Sequence, residues 1–140
     1  MASIQREIFI EACPDEVWDA LRDVGAIHTR LAPGFVTDVK LEDGARLVTF
    51  GNGRQARERI VTVDDAARRL VWSVVGGAGG AMTHHNASAQ VFPEGSGCRF
   101  VWIADLLPDA LEPLIAGMIE QGLAVIGRHL GAPGEERRSA

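Results

Sequence analysis

The chain has 140 residues, a length typical of one domain, and 46% of them are hydrophobic while 24% are charged. Its formal net charge is -5 and its arginines alternate with acids, which argues against nucleic-acid binding. The N-terminus carries no apolar run of signal-peptide length and no stretch approaches the ~20 apolar residues of a membrane span, so we expect a cytoplasmic protein.

In chain order, the first predicted element is a strand over residues 4–11. The acidic turn that begins at Pro14 then predicts a helix, because proline and acidic side chains are favoured in the first helical turn. A second short helix is predicted over residues 25–31, where Pro33 stops it. Two short helices are therefore expected between the first two strands.

Six closely spaced strands are predicted after these helices. Asp43-Gly44 and Asn52-Gly53 are the clearest hairpin signals among the turns that separate them. Such short connections indicate an antiparallel sheet. The six segments are residues 35–42, 45–51, 55–63, 69–75, 83–92 and 98–106.

The last predicted element is a long helix. Apolar residues recur at helical spacing from Leu111 to Leu130, in a stripe wide enough to bury one face. Gly117, Gly122 and Gly127 interrupt it, and we infer that some of them let the sheet or a ligand approach closely.

These elements predict an α+β fold. One helix cannot cover both faces of a seven-stranded sheet, so the sheet should curl around the helix and leave a pocket. We predict a single domain over residues 1–131, followed by a polar tail over 132–140 that we expect to be disordered.

The order of elements resembles the helix-grip fold of the SRPBCC superfamily, which includes START domains and the birch-pollen allergens. The most specific part of the resemblance is a predicted hairpin that is similar to one in the family. It is formed by RERIVTVD at 57–64 and RLVWSVVGG at 69–77. The opening ACPDEVWDAL at 12–21 resembles the bacterial polyketide cyclase/dehydrase and lipid-transport branch, whose members share an A-x-P-x-x-V-W start. Plant members carry a glycine-rich loop between strands two and three, whereas residues 42–45 form only a short link here.

The resemblance implies a fold with a cavity but does not define one function. Members bind lipids, carry hydrophobic ligands, cyclise polyketides or act as co-chaperones.

Strand side chains alternate between faces, so parity predicts which residues face the cavity. Arginine is rarely buried, which places Arg57, Arg59 and Arg99 outside. Trp72 and Trp102 then face inward, as ligand platforms or as plain core. The predicted ligand-binding residues are Leu70, Trp72, Val74, Ala87, Phe100, Trp102 and Met118.

Two ionisable side chains, Glu58 and His85, share the predicted inner face. A carboxylate there is costly unless it is paired or protonated, so Glu58 either forms a salt bridge with an arginine or has a functional role. His85 either donates to a ligand or is a satisfied histidine at the pocket mouth. If both reach the cavity, they form a candidate acid/base pair for aldol cyclisation or dehydration.

Other chemistries lack the residues they need. The chain has no tyrosine, and its only lysine, Lys40, should face solvent, which argues against Schiff-base chemistry. Cys13 and Cys98 are isolated, and the histidines lack the spacing of metal ligands. We therefore predict no metal site and no cofactor.

Three functions remain open at this point. The leading prediction is a protein that binds a small hydrophobic or aromatic molecule in the cavity. The second is a cyclase- or dehydratase-like enzyme, and the third is a co-chaperone-like module with an apolar groove for a polypeptide. The predicted partner is a small ligand and not nucleic acid, while a homodimer is left open.

Overall fold

The structure is a computed structural model that describes residues 1–77 and 82–131. Its strands are β1 (Ala2–Ile10), β2 (Val36–Glu42), β3 (Ala45–Phe50), β4 (Gln55–Asp64), β5 (Arg69–Gly77), β6 (His84–Glu94) and β7 (Gly97–Leu107). Its helices are α1 (Pro14–Arg22) and α2 (Glu112–Gly131). One π-helical turn (Ile27–Leu31) stands where the second short helix was predicted, and one 3-10 turn (Asp109–Leu111) precedes α2. The predicted tail at 132–140 lies outside the described residues.

The seven strands form one antiparallel sheet in the order β1-β7-β6-β5-β4-β3-β2. β1 and β2 are the two edges, so the connection that carries α1 and the π-helical turn crosses from one edge to the other. On the way, α1 packs against β5 and β6. The predicted fold class is confirmed: a curved seven-stranded antiparallel sheet holds a long C-terminal helix.

Two irregularities between β4 and β5 help the sheet to curve. The register of β4 against β5 shifts between Arg57 and Glu58 and again between Ile60 and Thr62. Bulges of this kind bend a strand and increase its twist. The alternation of faces survives the first shift, because Arg57 is exposed and Glu58 is buried.

The apolar face of α2 lies against the concave side of the sheet. A Cβ atom at Gly122 would lie only 3.0 Å from the rings of both Phe35 and Trp102, so any larger residue would force these rings to shift. At Gly117 nothing lies within 4 Å. The inference about close-approach glycines therefore holds for Gly122 and not for Gly117. The buried residues of α2 are Ile115, Ala116, Ile119, Gly122, Leu123, Ile126 and Leu130.

The C-terminal helix passes a membrane-span test by length and composition alone. The helical segment Asp109–Gly131 has 23 residues, and an 18-residue window within it has a mean hydropathy of 1.3. Glu120-Gln121 interrupts its apolar run, in line with the expectation that no stretch of ~20 apolar residues occurs. In the structure the segment is the central helix of the fold, and its apolar face is covered by the sheet.

Candidate ligand-binding cavity

A cavity of about 90 Å³ lies between the concave face of the sheet and α2. A buried water needs roughly 10–15 Å³, so the space holds several waters or part of a small organic molecule. A ligand the size of an aromatic ring system would need the walls to move. The walls are mostly apolar, and α2 contributes Ile115, Met118, Ile119 and Ile126 to them.

Four of the predicted ligand-binding residues line this cavity: Trp72, Phe100, Trp102 and Met118. The other three lie outside its lining. Leu70 and Ala87 are fully buried in the surrounding core, and Val74 packs half-buried against it. Parity assigns a side chain to a face of the sheet, but the cavity occupies only part of the concave face.

Several wall residues were missed by the sequence analysis. Most of them come from α1, the π-helical turn and the loop after it, where strand parity does not apply. Val48 and Phe50 on β3 could have been found by the same alternation that we applied to the other strands. The missed apolar wall residues are Leu21, Ile27, Leu31, Ala32, Phe35, Val36, Val48 and Phe50, whereas parity already places Ala89 on the inner face with His85.

Two aromatic pairs shape the walls. The rings of Trp72 and Trp102 meet edge-on with centroids 5.9 Å apart, and Phe35 meets Phe50 at 5.6 Å in the same manner. Such edge-to-face contacts stabilise aromatic packing. Phe35, Phe50 and Met118 also border a second pocket, which is more open and has a volume of about 240 Å³. These three side chains therefore belong to the walls of both spaces.

A buried ion pair forms the polar end of the cavity. Arg46 Nε donates to Glu58 Oε1 at 2.9 Å, and the two side chains are only 4% and 9% exposed. Arg46 Nη1 also donates to the carbonyl oxygen of Val24 at 3.2 Å. The guanidinium carbon lies 5.5 Å from the centroid of the Trp72 ring. The salt bridge that we considered for Glu58 is thus present.

Arg46 itself was missed by the sequence analysis. It alternates with Val48 and Phe50 along β3, so parity places it on the inner face. The hairpin around Asn52 puts it directly opposite Glu58. Both signals are in the sequence, but the expectation that arginine is exposed draws attention away from this position.

The ionisable groups of the cavity have altered proton affinities. Burial raises the pKa of Glu58, although the charge and hydrogen bond of Arg46 act in the opposite direction. Burial lowers the pKa of His85, and the neighbouring His84 lowers it further. Burial thus opposes the charged form of both side chains, while Arg46 favours the charged carboxylate of Glu58.

Glu58 and His85 both line the cavity, but on strands that are not neighbours in the sheet. β5 lies between their strands, so two inter-strand spacings separate their backbones by roughly 10 Å. In the part of the chain that the structure describes, no hydrogen bond joins them and the carboxylate binds Arg46 instead. The acid/base role of the two residues stays a prediction.

The described residues contain no group of three histidine, cysteine or acidic side chains placed to hold a metal ion. Cys13 is exposed and Cys98 is buried, and both are free. Lys40 is exposed on β2, as parity indicates.

The sequence of the chain matches a known protein family. Residues 1–131 match the family described as polyketide cyclase / dehydrase and lipid transport. No curated protein is significantly similar to the chain in sequence.

Solved structures share the fold over nearly the whole chain. XoxI from Bacillus cereus is 18% identical with a TM-score of 0.83, and the match covers 93% of this chain and 96% of that one. Major latex-like protein 151 from Panax ginseng is 15% identical with a TM-score of 0.78, covering 92% and 97%. A norcoclaurine synthase point mutant from Thalictrum flavum is 23% identical with a TM-score of 0.67, covering 92% and 93%. At these identities the likeness concerns the fold alone.

Proposed function

Because the chain belongs to the polyketide cyclase / dehydrase and lipid transport family, we propose that it binds a small, largely apolar aromatic molecule in the cavity between the sheet and α2. The observation that carries the proposal is an internal space walled by apolar and aromatic side chains, with one polar end at Arg46 and Glu58. Ligand pockets commonly combine apolar walls with a few placed polar groups.

Packing energetics link occupancy of the cavity to stability. Protein interiors are normally packed to the density of organic crystals. A cavity of this volume would cost roughly 2 kcal/mol if nothing filled it, at about 24 cal/mol per Å³. A ligand that occupies the space would recover the lost contacts, so binding and stability should be coupled.

The two alternatives have less support. An acid/base enzyme needs Glu58 free to exchange protons, whereas its carboxylate is bound to Arg46. A co-chaperone-like module needs an open apolar groove, whereas α2 covers the apolar concave face. We also propose a cytoplasmic location, because the free thiols of Cys13 and Cys98 suit a reducing compartment.

Thermal unfolding with a panel of aromatic compounds tests the binding function. A ligand at about 100 times its dissociation constant should add ~2.7 kcal/mol to the stability of the wild type. Native mass spectrometry of the freshly purified protein would identify a co-purified ligand and report the oligomeric state in the same measurement.

A matched pair of variants locates the binding site. Ala89 lines the cavity, so Ala89→Leu should fill the space and abolish the ligand-induced stabilisation while the fold is kept. Ala124 is exposed on α2, so Ala124→Leu makes the same chemical change away from the cavity and should keep the response. A broad panel that never shifts the wild-type midpoint would contradict the proposed function.

A further inference from the structure

The polar end of the cavity has unused hydrogen-bonding capacity. Arg46 Nη2 and Glu58 Oε2 make no hydrogen bond to the described residues, whereas Arg46 Nε and Nη1 and Glu58 Oε1 all have partners. Neither atom is among the fully buried side-chain atoms that lack a hydrogen-bond partner, and both residues line the cavity. Because buried polar groups are normally satisfied, a group outside the protein chain fits here.

Covalent geometry ties these two atoms to the bonded pair. Nη2 and Nε share the same guanidinium carbon, and Oε2 and Oε1 share the same carboxylate carbon, so both free atoms belong to the two groups that the 2.9 Å bond joins. The pair therefore offers one free donor and one free acceptor at the polar end of the cavity. A single hydroxyl group satisfies both, since its oxygen accepts from Nη2 and its proton is donated to Oε2.

The charges around this point favour a neutral ligand. Among the described residues, the lining contains one cation, Arg46, and one anion, Glu58, and their charges cancel. A ligand carboxylate would lie beside the Glu58 carboxylate, and a ligand ammonium beside the Arg46 guanidinium, with little water to screen either repulsion. His85 is the other ionisable wall residue, and burial lowers its pKa and so favours its neutral form.

The neighbouring walls favour an aromatic ring next to the hydroxyl. The Arg46 guanidinium lies over the Trp72 ring, and Trp72 meets Trp102 edge-on. A ring attached directly to the hydroxyl would therefore contact indole surfaces as soon as the hydroxyl reaches the ion pair.

We propose that the Arg46–Glu58 pair recognises the neutral hydroxyl of a phenol-type ligand and so determines the ligand class that the cavity accepts. This inference rests on the proposed binding function. It assigns the buried pair a recognition role in addition to any structural role.

Three compounds with one ring system provide the test: naphthalene, 2-naphthol and 2-naphthoate. Tryptophan fluorescence and calorimetry at neutral pH would give their affinities for the full chain. The wild type should bind 2-naphthol about tenfold more tightly than naphthalene, the gain expected for hydrogen bonds to charged groups. It should bind 2-naphthoate more weakly than 2-naphthol.

Two double variants make the test specific. Arg46→Met with Glu58→Met removes the pair but keeps side chains of similar size, a change that buried ion pairs often tolerate. In this variant the preference for 2-naphthol should disappear while naphthalene still binds. The control is Glu42→Met with Arg57→Met, which removes an exposed pair from the opposite face and should keep the preference.

The outcomes separate this inference from the proposed function. Equal affinity of the wild type for naphthalene and 2-naphthol, or tightest binding of 2-naphthoate, would overturn the inference and leave the binding function intact. A preference that persists in the Arg46→Met, Glu58→Met variant would do the same. If the wild type binds none of the three compounds, both proposals fail. The ligand order in the wild type alone decides the matter even if the double variant does not fold.

Discussion

Two arginine–glutamate pairs lie on opposite faces of the same part of the sheet. Arg46 and Glu58 face the cavity from β3 and β4, and Arg57 and Glu42 face solvent from β4 and β2. The N–O distance is 2.9 Å in both pairs. The side chains of the inner pair are 4% and 9% exposed, whereas those of the outer pair are 45% and 37% exposed. The two pairs thus share their shortest distance but differ in surroundings, and the outer pair has a second hydrogen bond, from Arg57 Nη2 to Glu42 Oε1 at 3.2 Å.

The comparison indicates that burial outweighs pairing at Glu58, whereas pairing outweighs burial at Glu42. Burial raises the pKa of Glu58 despite its arginine. The hydrogen bond from Arg57 lowers the pKa of Glu42, because water still solvates that carboxylate. Exposed pairs contribute little to stability, while a buried charge depends strongly on its partner.

The largest expected effect comes from removing one arginine of each pair. Arg46→Met leaves the Glu58 carboxylate buried without its partner, which should cost about 3–5 kcal/mol of unfolding free energy. Arg57→Met leaves Glu42 in water and should hardly change the denaturation midpoint. Urea denaturation at neutral pH measures both. Similar losses in the two variants would contradict the contrast between the two faces.

A smaller effect is expected in the pH dependence, where the two glutamates should act in opposite directions. The raised pKa of Glu58 means that its contribution to stability is present below its ordinary pKa of 4.5 and is lost as the pH rises through the raised value. The lowered pKa of Glu42 means that its contribution is present above 4.5 and is lost as the pH falls through the lowered value.

Glu58→Gln and Glu42→Gln separate these contributions. The difference in unfolding free energy between wild type and Glu58→Gln should shrink as the pH rises above 4.5. The difference between wild type and Glu42→Gln should shrink as the pH falls below 4.5. Urea denaturation from about pH 3 to about pH 7 gives both curves. If the two differences change with pH in the same direction, burial does not dominate at Glu58.

The smallest effect on stability is expected at two adjacent histidines, one facing the cavity and one facing solvent. His85 lines the cavity and His84 is exposed. Because burial lowers the pKa of His85 below its ordinary 6.5, its contribution to stability is present above 6.5 and is lost as the pH falls through the lowered value.

Replacing each histidine by glutamine tests this assignment. His85→Gln should flatten the loss of stability below pH 6.5 in thermal or urea unfolding. His84→Gln should retain most of that loss, because burial is the larger cause of the shift and the charge of His84 is the smaller one. If His84→Gln flattens the loss of stability more than His85→Gln does, the loss originates at the exposed His84 and not at the buried His85.

Local sequence signals were enough to predict the course of the chain. Asp43-Gly44 lies at the turn between β2 and β3, where Gly44 adopts a φ of +69° that favours glycine. Alternation correctly placed Phe100 inside and Arg57 outside. Such signals work because turn conformations and strand faces depend on neighbouring residues.

The extent of the cavity could not be predicted in this way. Leu70, Val74 and Ala87 share a face with Trp72 but lie outside the lining, and Phe35 joins it from a loop. Whether an inward side chain meets empty space or its neighbours depends on the bends of β4 and on how closely α2 approaches at Gly122.

The sequence by itself determined the order of elements, the curved sheet around one helix and the inward direction of Glu58 and Trp102. Only the tertiary structure decided that Glu58 binds Arg46 and lies apart from His85. The physical reason is that partners across a sheet are set by strand register and curvature, which arise from packing between residues far apart in the chain. The chemistry available to a buried carboxylate follows from that packing.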